Sequence, residues 1–400
     1  MFALPLLTKR QSQPRRTAGG LALVLLVTVV AACSGSGATG VQQTATPTPP
    51  RATSTATSTP RGWQVAQGIG TGALPSIAFA PADPATAYAC IADSNAAFQV
   101  SVSHDAGASW TRTAAPISGA FCLLSSNPDN PRDVVLVNNS STSAFTLTRS
   151  LDGGATWQQQ RAGSLAFQAL GWVGSTLYVA TILTENPVTS KTELWASVRG
   201  GPFSERDQNG QLPGMTLGLV SLITGHGSTL FLVNGAGVPA SGPTFKSSDG
   251  GATWTQVTFH DGGQVVQLVT ATPDGRLLAG VYANAPAALA LSRDDGTTWQ
   301  RLAAPPATLT ALGDVLLAPD GTVYVTSDRL GSAQNPDTTL YTTTPTASQW
   351  SGTAMLPANA FPITVAWDGS GHPTAVWARQ ALDARATSWQ LISESVLPAG

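Results

Sequence analysis

Glu185, Glu193, Glu205, Asp207, Asp261, Asp328, Asp337 and Asp383 fall in stretches that read as loops. Carboxylates in pairs do acid–base work, and glycoside hydrolysis needs two of them roughly 5–10 Å apart. Nothing in the spacing of these eight selects such a pair. The neighbours His260–Asp261 and Asp328–Arg329, with Glu185, Arg206 and Asp207, make the best candidate ligand rim. A second set of carboxylates recurs in an octapeptide: "SHDAGASW" (103–110), "SLDGGATW" (150–157), "SSDGGATW" (247–254) and "SRDDGTTW" (292–299). Its aspartates, Asp105, Asp152, Asp249 and Asp294, are a conceivable four-carboxylate metal set. Each belongs to a separate copy, however, so a role inside its own turn is simpler. HExxH, a Gly-rich phosphate loop and a Cys/His cluster are all missing, and His104 and His226 sit in turns. No metal ligand, cofactor or catalytic residue is therefore assigned. Cys90 and Cys122 read equally well as a disulfide or as two small buried apolar residues.

The elements that position these residues begin after residue 62. Lys9, Arg10, Arg15 and Arg16 precede the apolar run Leu21–Ala32, which ends in "VAAC" (30–33). That run is shorter than the roughly 20 residues a membrane-spanning helix needs, and the order of charge, apolar run and small residues is that of an export signal. Residues 34–62 are Ser, Gly, Ala, Thr and Pro with almost no large apolar side chain. Such a stretch cannot offset its ordering entropy by burial and reads as a disordered tether. The folded unit is 63–400. Charged residues are 10% of the chain and the formal net charge is −2, which excludes the basic stripe that nucleic-acid binding requires.

Within 63–400 short apolar runs such as "TLYVATI", "TLFLV" and "TVYVTS" alternate with turn clusters, an all-β pattern. Trp110, Trp157, Trp254 and Trp299 close the octapeptides at gaps of 47, 97 and 45 residues. The long gap is two periods, and "SVRGGPF" (197–203) supplies the missing unit, one residue short and ending in Phe203. One period further on lies Trp350, and one period before Trp110 lies Trp63. Each period holds four strands: A, a turn often containing Pro-Asp-Gly, B, a variable loop, C, the octapeptide, and D. Four-stranded units of this length are propeller blades. The expected fold is a seven-bladed β-propeller of four-stranded antiparallel blades, with six blades as the alternative. The last unit lacks strand D and the first residues, "GWQVAQGI" (63–70), lack A to C. The N-terminal strand is therefore expected to complete the C-terminal blade and remove its free edge.

In Ser-x-Asp-x-Gly-x-Thr-Trp, the aspartate accepts bonds from nearby backbone N–H groups. Gly107, Gly154, Gly251 and Gly296 supply positive φ. The hydroxyls of Ser103, Ser150, Ser247 and Ser292 bridge the two strands, and the tryptophan wedges between blades.

These octapeptides resemble the Asp-box, or bacterial neuraminidase repeat, of sialidases, sortilin-like receptors, xyloglucan-degrading propellers and photosystem assembly factors. The resemblance implies a propeller with structural boxes on the face away from the ligand. It implies no single activity, because those families do different things. "VAAC" similarly resembles a bacterial lipobox, which implies lipid attachment at Cys33 and an extracytoplasmic protein held at the cell membrane. Sialidase chemistry is disfavoured: residues 64–102 contain no arginine, so the early Arg motif of that family is missing. The expected function is a monomeric, non-catalytic recognition or scaffold module for a glycan or protein ligand on the B–C and D–A loop face. The alternative is a sialidase-like glycoside hydrolase.

Overall fold

A computed structural model describes residues 64–67, 69, 76–80, 82–92, 98–115, 117, 121–141, 144–163, 166–184, 190–206, 220–234, 244–257, 265–272, 275–283, 285–306, 312–318, 320–327, 339–354, 360–367, 373–381 and 389–395. Residues 1–63, with the expected export signal, the expected tether and Trp63, lie outside the described residues. Those described are all-β and contain no helix. They form seven four-stranded antiparallel sheets, each in the order A-B-C-D.

Blade one is Ser76–Ala80, Asp83–Ala92, Phe98–Ser103 and Thr111–Arg112; blade two is Phe121–Asn127, Asn130–Ser141, Ala144–Ser150 and Gln158–Gly163. Blade three is Ala166–Val173, Thr176–Thr184, Ser190–Val198 and Ser204–Glu205; blade four is Val220–His226, Thr229–Asn234, Thr244–Ser247 and Thr255–Val257. Blade five is Val265–Ala271, Leu277–Ala283, Ala285–Ser292 and Gln300–Arg301; blade six is Leu312–Leu317, Val323–Ser327, Thr339–Thr343 and Ser351–Ala354. Blade seven takes strands A to C from Ala360–Trp367, Pro373–Ala381 and Trp389–Ser395, and its strand D is Gln64–Val65. Gln64 pairs with Ser393 and Val65 with Ile392, so the two ends of the folded unit share one sheet. Strand A of blade seven also packs on strand A of blade one.

Strands of alternating apolar residues bury both faces in blades one to five, because each of these sheets lies between two others. Six buried clusters occupy successive spaces between sheets. A large aromatic lies in each: Trp110 between blades seven and one, Trp157 between one and two, Phe203 between two and three, Trp254 between three and four, Trp299 between four and five, and Trp350 between five and six. The period read from tryptophans is thus a period of interblade wedges, and the degenerate unit keeps its aromatic. Near the ring axis, blades three and four approach closely. A Cβ built on Gly171 would lie 2.1 Å from the Ile223 carbonyl oxygen. Cys90 of blade one and Cys122 of blade two are joined by a disulfide, 32 residues apart in sequence.

Two loop boundaries differ from expectation. Strands B and C of blade three stay paired as far as Thr184 and Ser190. The β-branched Thr181, Ile182 and Thr184 suit that extended pairing. Glu193 and Glu205 consequently lie in strands, opposite Thr181 and Trp195, and not in loops.

Candidate functional site

The four octapeptides have one geometry. Each serine stands at the end of strand C, its Oγ donating to Oδ1 of the aspartate two residues on, at 2.8, 2.7, 2.7 and 2.8 Å. The same Oγ accepts from the glycine N–H at 2.7–2.8 Å. The aspartate Oδ1 also accepts the backbone N–H four residues on, and Oδ2 accepts that residue's hydroxyl at 2.6 Å: Ser109, Thr156, Thr253 and Thr298. The tryptophan Nε1–H donates to the glycine carbonyl at 2.9–3.0 Å. The hydroxyls therefore close onto the aspartate of their own turn and do not bridge the two strands, since Ser and Thr lie on either side of one carboxylate. Only Asp249 takes two successive backbone N–H groups, from Ala252 and Thr253.

The backbone explains the glycine. Gly107, Gly154, Gly251 and Gly296 have φ of 83, 91, 101 and 82°. The preceding residue is also left-handed, at 55° for Ala106 and 56° for Asp295. The sequence pattern did not reveal this second left-handed residue, because Ala, Gly and Asp all occur there.

Hydrogen bonds to the ionised form lower a carboxylate's pKa. The hydroxyl and backbone N–H of the residue four positions on hold Asp105, Asp152, Asp249 and Asp294 at about 2, led in each case by the hydroxyl. Their oxygens are thus committed within the turn, and the four carboxylates stand on four different blades. Among the described residues no group of three His, Cys, Asp or Glu is placed to hold a metal ion.

The A–B turns share this face. Backbone bonds join three of them to the octapeptide of their own blade: Ala106 N to Ala85 O, Gly153 N to Arg132 O and Gly250 N to Ser228 O. The B–C and D–A connections lie at the opposite end of the strands. Of the predicted rim, Glu185, Asp207, His260, Asp261, Asp328 and Arg329 lie outside the described residues. Arg206 is described and stands apart from the loop rim. Its Cβ is 3.2 Å from a Cβ built on Gly251, so it packs between blade three and the octapeptide of blade four.

Two cationic side chains that reach from one blade to the next, Arg149 and Lys246, were not anticipated. Arg149, just before the octapeptide of blade two, is buried with its side chain 1% exposed. Its Nε and Nη2 donate to the Asp133 carboxylate at 2.6 and 2.5 Å, and Nη1 donates to Ser197 Oγ of blade three at 3.0 Å. Asn127 Nδ2 completes the carboxylate's shell at 2.8 Å. Ser197 is the serine of the degenerate unit, whose aspartate is lost, so an arginine from the preceding blade engages the hydroxyl that an aspartate holds elsewhere. The signal was present in "FTLTRS": Phe145, Leu147 and Arg149 share one buried face at period two. Further out, the Arg161 guanidinium stacks 3.5 Å from the Trp195 ring centroid. Burial lowers its pKa, opposed by the charges of Glu193 and Glu205.

The equivalent position before the octapeptide of blade four is Lys246. Its Nζ donates to the Asp295 carbonyl of blade five at 2.7 Å, and the Asp295 carboxylate hydrogen-bonds His226 Nε2 at 2.7 Å.

No known family model and no curated protein sequence matches the chain. Solved structures do. The chain is similar to YCF48 bound to D1 peptide, at 14% identity and a TM-score of 0.55, over 84% of this chain and 97% of that one. It is similar to virginiamycin B lyase from Staphylococcus aureus, at 12% identity and a TM-score of 0.56, over 84% and 99% of the two chains. It is also similar to oligogalacturonate lyase in complex with manganese, at 13% identity and a TM-score of 0.55, over 85% and 97%. The fold is a β-propeller. At these identities the likeness carries the fold alone, and it spans both a peptide-bound protein and lyases.

Proposed function

We propose that the chain is a recognition or scaffold module of the cell envelope, with its octapeptides acting as Asp-boxes and a glycan or protein ligand bound on the loop face. In this reading Cys33 carries the lipid, residues 34–62 are the tether, and the propeller works as a monomer outside the cytoplasm. The observation that carries it is the division of labour between the two ends of the strands. Octapeptide polar groups are spent on their own turns. The connections at the other end differ widely, from the single residue 284 to 235–243, 328–338 and the stretch 206–219. Uniform turns beside variable loops are the usual arrangement of a scaffold that displays a binding surface. The peptide bound to structurally similar YCF48 supports a protein ligand.

Glycan arrays and affinity capture with residues 63–400 test this reading. Binding lost on changing His260–Asp261 or Asp328–Arg329 is the expected result. Turnover of a sialoside or other glycoside, abolished by one loop-face acid substitution, would overturn it in favour of a sialidase-like hydrolase.

A further inference from the structure

Three large apolar side chains among the described residues are exposed: Leu151 at 57%, Val198 at 47% and Val65 at 45%. Their positions are related. Leu151 follows the serine of the second octapeptide, and Val198 follows the serine of the degenerate unit on the next blade. Leu151 reaches across to that unit, its Cδ2 lying 3.5 Å from a Cβ built on Gly200. His104, Ser248 and Arg293 hold the corresponding place in the other octapeptides, so the apolar pair is confined to blades two and three. Exposed Pro202 lies beside it, and exposed Arg132 and Arg199 flank it. Arg132 is held next to the patch by its carbonyl, which accepts from Gly153 N at 2.9 Å.

The strand register shows where the N-terminal segment meets this face. In blade seven, Ser395 pairs with Ala375 near the A–B turn, and Trp389 pairs with Ala381 at the loop end. Gln64 pairs with Ser393 and Val65 with Ile392, so the chain runs from the octapeptide end toward the loop end. Gln67 N then bonds Ala108 O in the first octapeptide. The described chain therefore begins, at Gln64, toward the face that carries Leu151 and Val198.

We infer that this face, centred on Leu151 and Val198, is the surface that rests on the lipid membrane, with the loop face turned outward. The inference depends on the anchor reading above. A second copy of the chain is a poor occupant. A stable dimer needs about 800 Å² from each partner, far more than two aliphatic side chains and a proline present. A membrane asks less, because the contact is intramolecular once Cys33 is anchored. A flexible tether over 34–62 has a root-mean-square reach of about 30 Å. It holds the face near the bilayer at an effective concentration of the order of mM. Aliphatic tips with flanking guanidinium groups suit the boundary between acyl chains and phosphates. The octapeptide carboxylates, ionised down to about pH 2, keep the surrounding face acidic. The contact is accordingly apolar, works on neutral lipid and depends little on salt.

The test uses the full lipidated chain in phosphatidylcholine vesicles containing a headgroup-region quencher. One sample carries a dye at Ser248→Cys, on the octapeptide face; another carries it at Ser190→Cys, where strand C of blade three begins at the opposite end. Quenching at position 248 should exceed that at 190 by at least twofold, and adding Leu151→Gln with Val198→Gln should abolish the difference. Equal or reversed quenching overturns the inference. A difference that survives the double substitution refutes the apolar contact. A chain that vesicles do not retain refutes the anchor reading instead. The face is then judged with a hexahistidine in place of residues 1–33 on nickel-chelating vesicles, where equal quenching again overturns it.

Discussion

Replacing Asp133 by Ala should be among the most damaging single changes in blades two and three. The carboxylate accepts Arg149 Nε at 2.6 Å, Arg149 Nη2 at 2.5 Å and Asn127 Nδ2 at 2.8 Å. Its removal leaves a guanidinium, 1% exposed, facing the cavity of a lost partner. A guanidinium cannot escape by losing its proton. The remaining contacts are one hydrogen bond to Ser197 and a position 5.2 Å from the Trp172 ring centroid. Breaking a buried pair on one side costs about 3–5 kcal/mol. Removing both charges costs less, because no buried ion is left behind. Asp133→Leu with Arg149→Met leaves only the Asn127 amide unpaired, at about 1–3 kcal/mol.

The decisive comparison is therefore one of order. In urea titrations followed by tryptophan fluorescence, the double variant should unfold at higher denaturant than Asp133→Ala alone. Arg149→Met, which strips the carboxylate of two charged donors, should fall between them. A double variant at least as unstable as Asp133→Ala would refute the reasoning. It would mean that the pair's net contribution to stability exceeds its cost of desolvation. A loss below about 1 kcal/mol for Asp133→Ala would show that water reaches the pair.

Other consequences are simpler to state. Trp254→Ala, which empties the wedge between blades three and four, should cost about 3–5 kcal/mol in the same titration, and a negligible change would mean that the wedge is not structural. Gly171→Ala drives a Cβ to 2.1 Å from the Ile223 carbonyl oxygen and should cost about 1–3 kcal/mol or more, whereas Gly227→Ala meets nothing within 4 Å and should cost only its left-handed backbone penalty of about 1–2 kcal/mol. Reduction of Cys90–Cys122 should lower the thermal midpoint, because a loop of 32 residues is worth about 3–4 kcal/mol of unfolded-state restriction; an unchanged midpoint after verified reduction refutes this. The octapeptide aspartates have folded-state pKa values of about 2, below their unfolded values, so their stabilisation is complete above about pH 4 and is lost as pH falls toward 2. Melting curves from pH 5 to pH 2 should show this fall, and it should flatten when all four are changed to Asn.

The parts of this fold legible in the sequence were those that repeat. Six aromatics at one period mark six interblade spaces, and the incomplete last unit pointed to Gln64–Val65 as its missing strand. A period survives divergence because every blade must bury the same two faces, so Phe203 stays large after its aspartate has gone. What was not legible was local and unrepeated. The left-handed residue before each octapeptide glycine is Ala, Gly or Asp, and composition at that position carries no common signal. Glu193 and Glu205 read as loop acids because a polar stretch resembles an irregular one, while strand pairing includes both. The rim residues, apart from Arg206, fall in connections outside the described residues, and the lengths of those connections vary from blade to blade.

Arg149 and Lys246 show how such unrepeated residues enter a repeating fold. Both precede the octapeptide serine, and both reach from their own blade into the octapeptide of the next. One meets Ser197 in a unit that has lost its aspartate, and the other meets Asp295, an aspartate that only the blade-five octapeptide carries at that place. Val102 and Leu291, at the same position in blades one and five, make no such charged contact possible. Lys246 donates to the main-chain carbonyl of Asp295, which any residue would offer, and what the aspartate adds is a carboxylate 3.8 Å from the ammonium. The two cations therefore track the two departures from the octapeptide pattern that face them. Restoring an aspartate within 197–203 without removing Arg149 should not rebuild a simple octapeptide. It should draw the guanidinium into competition between the new carboxylate and Asp133, so the degenerate unit and its arginine have to be exchanged together.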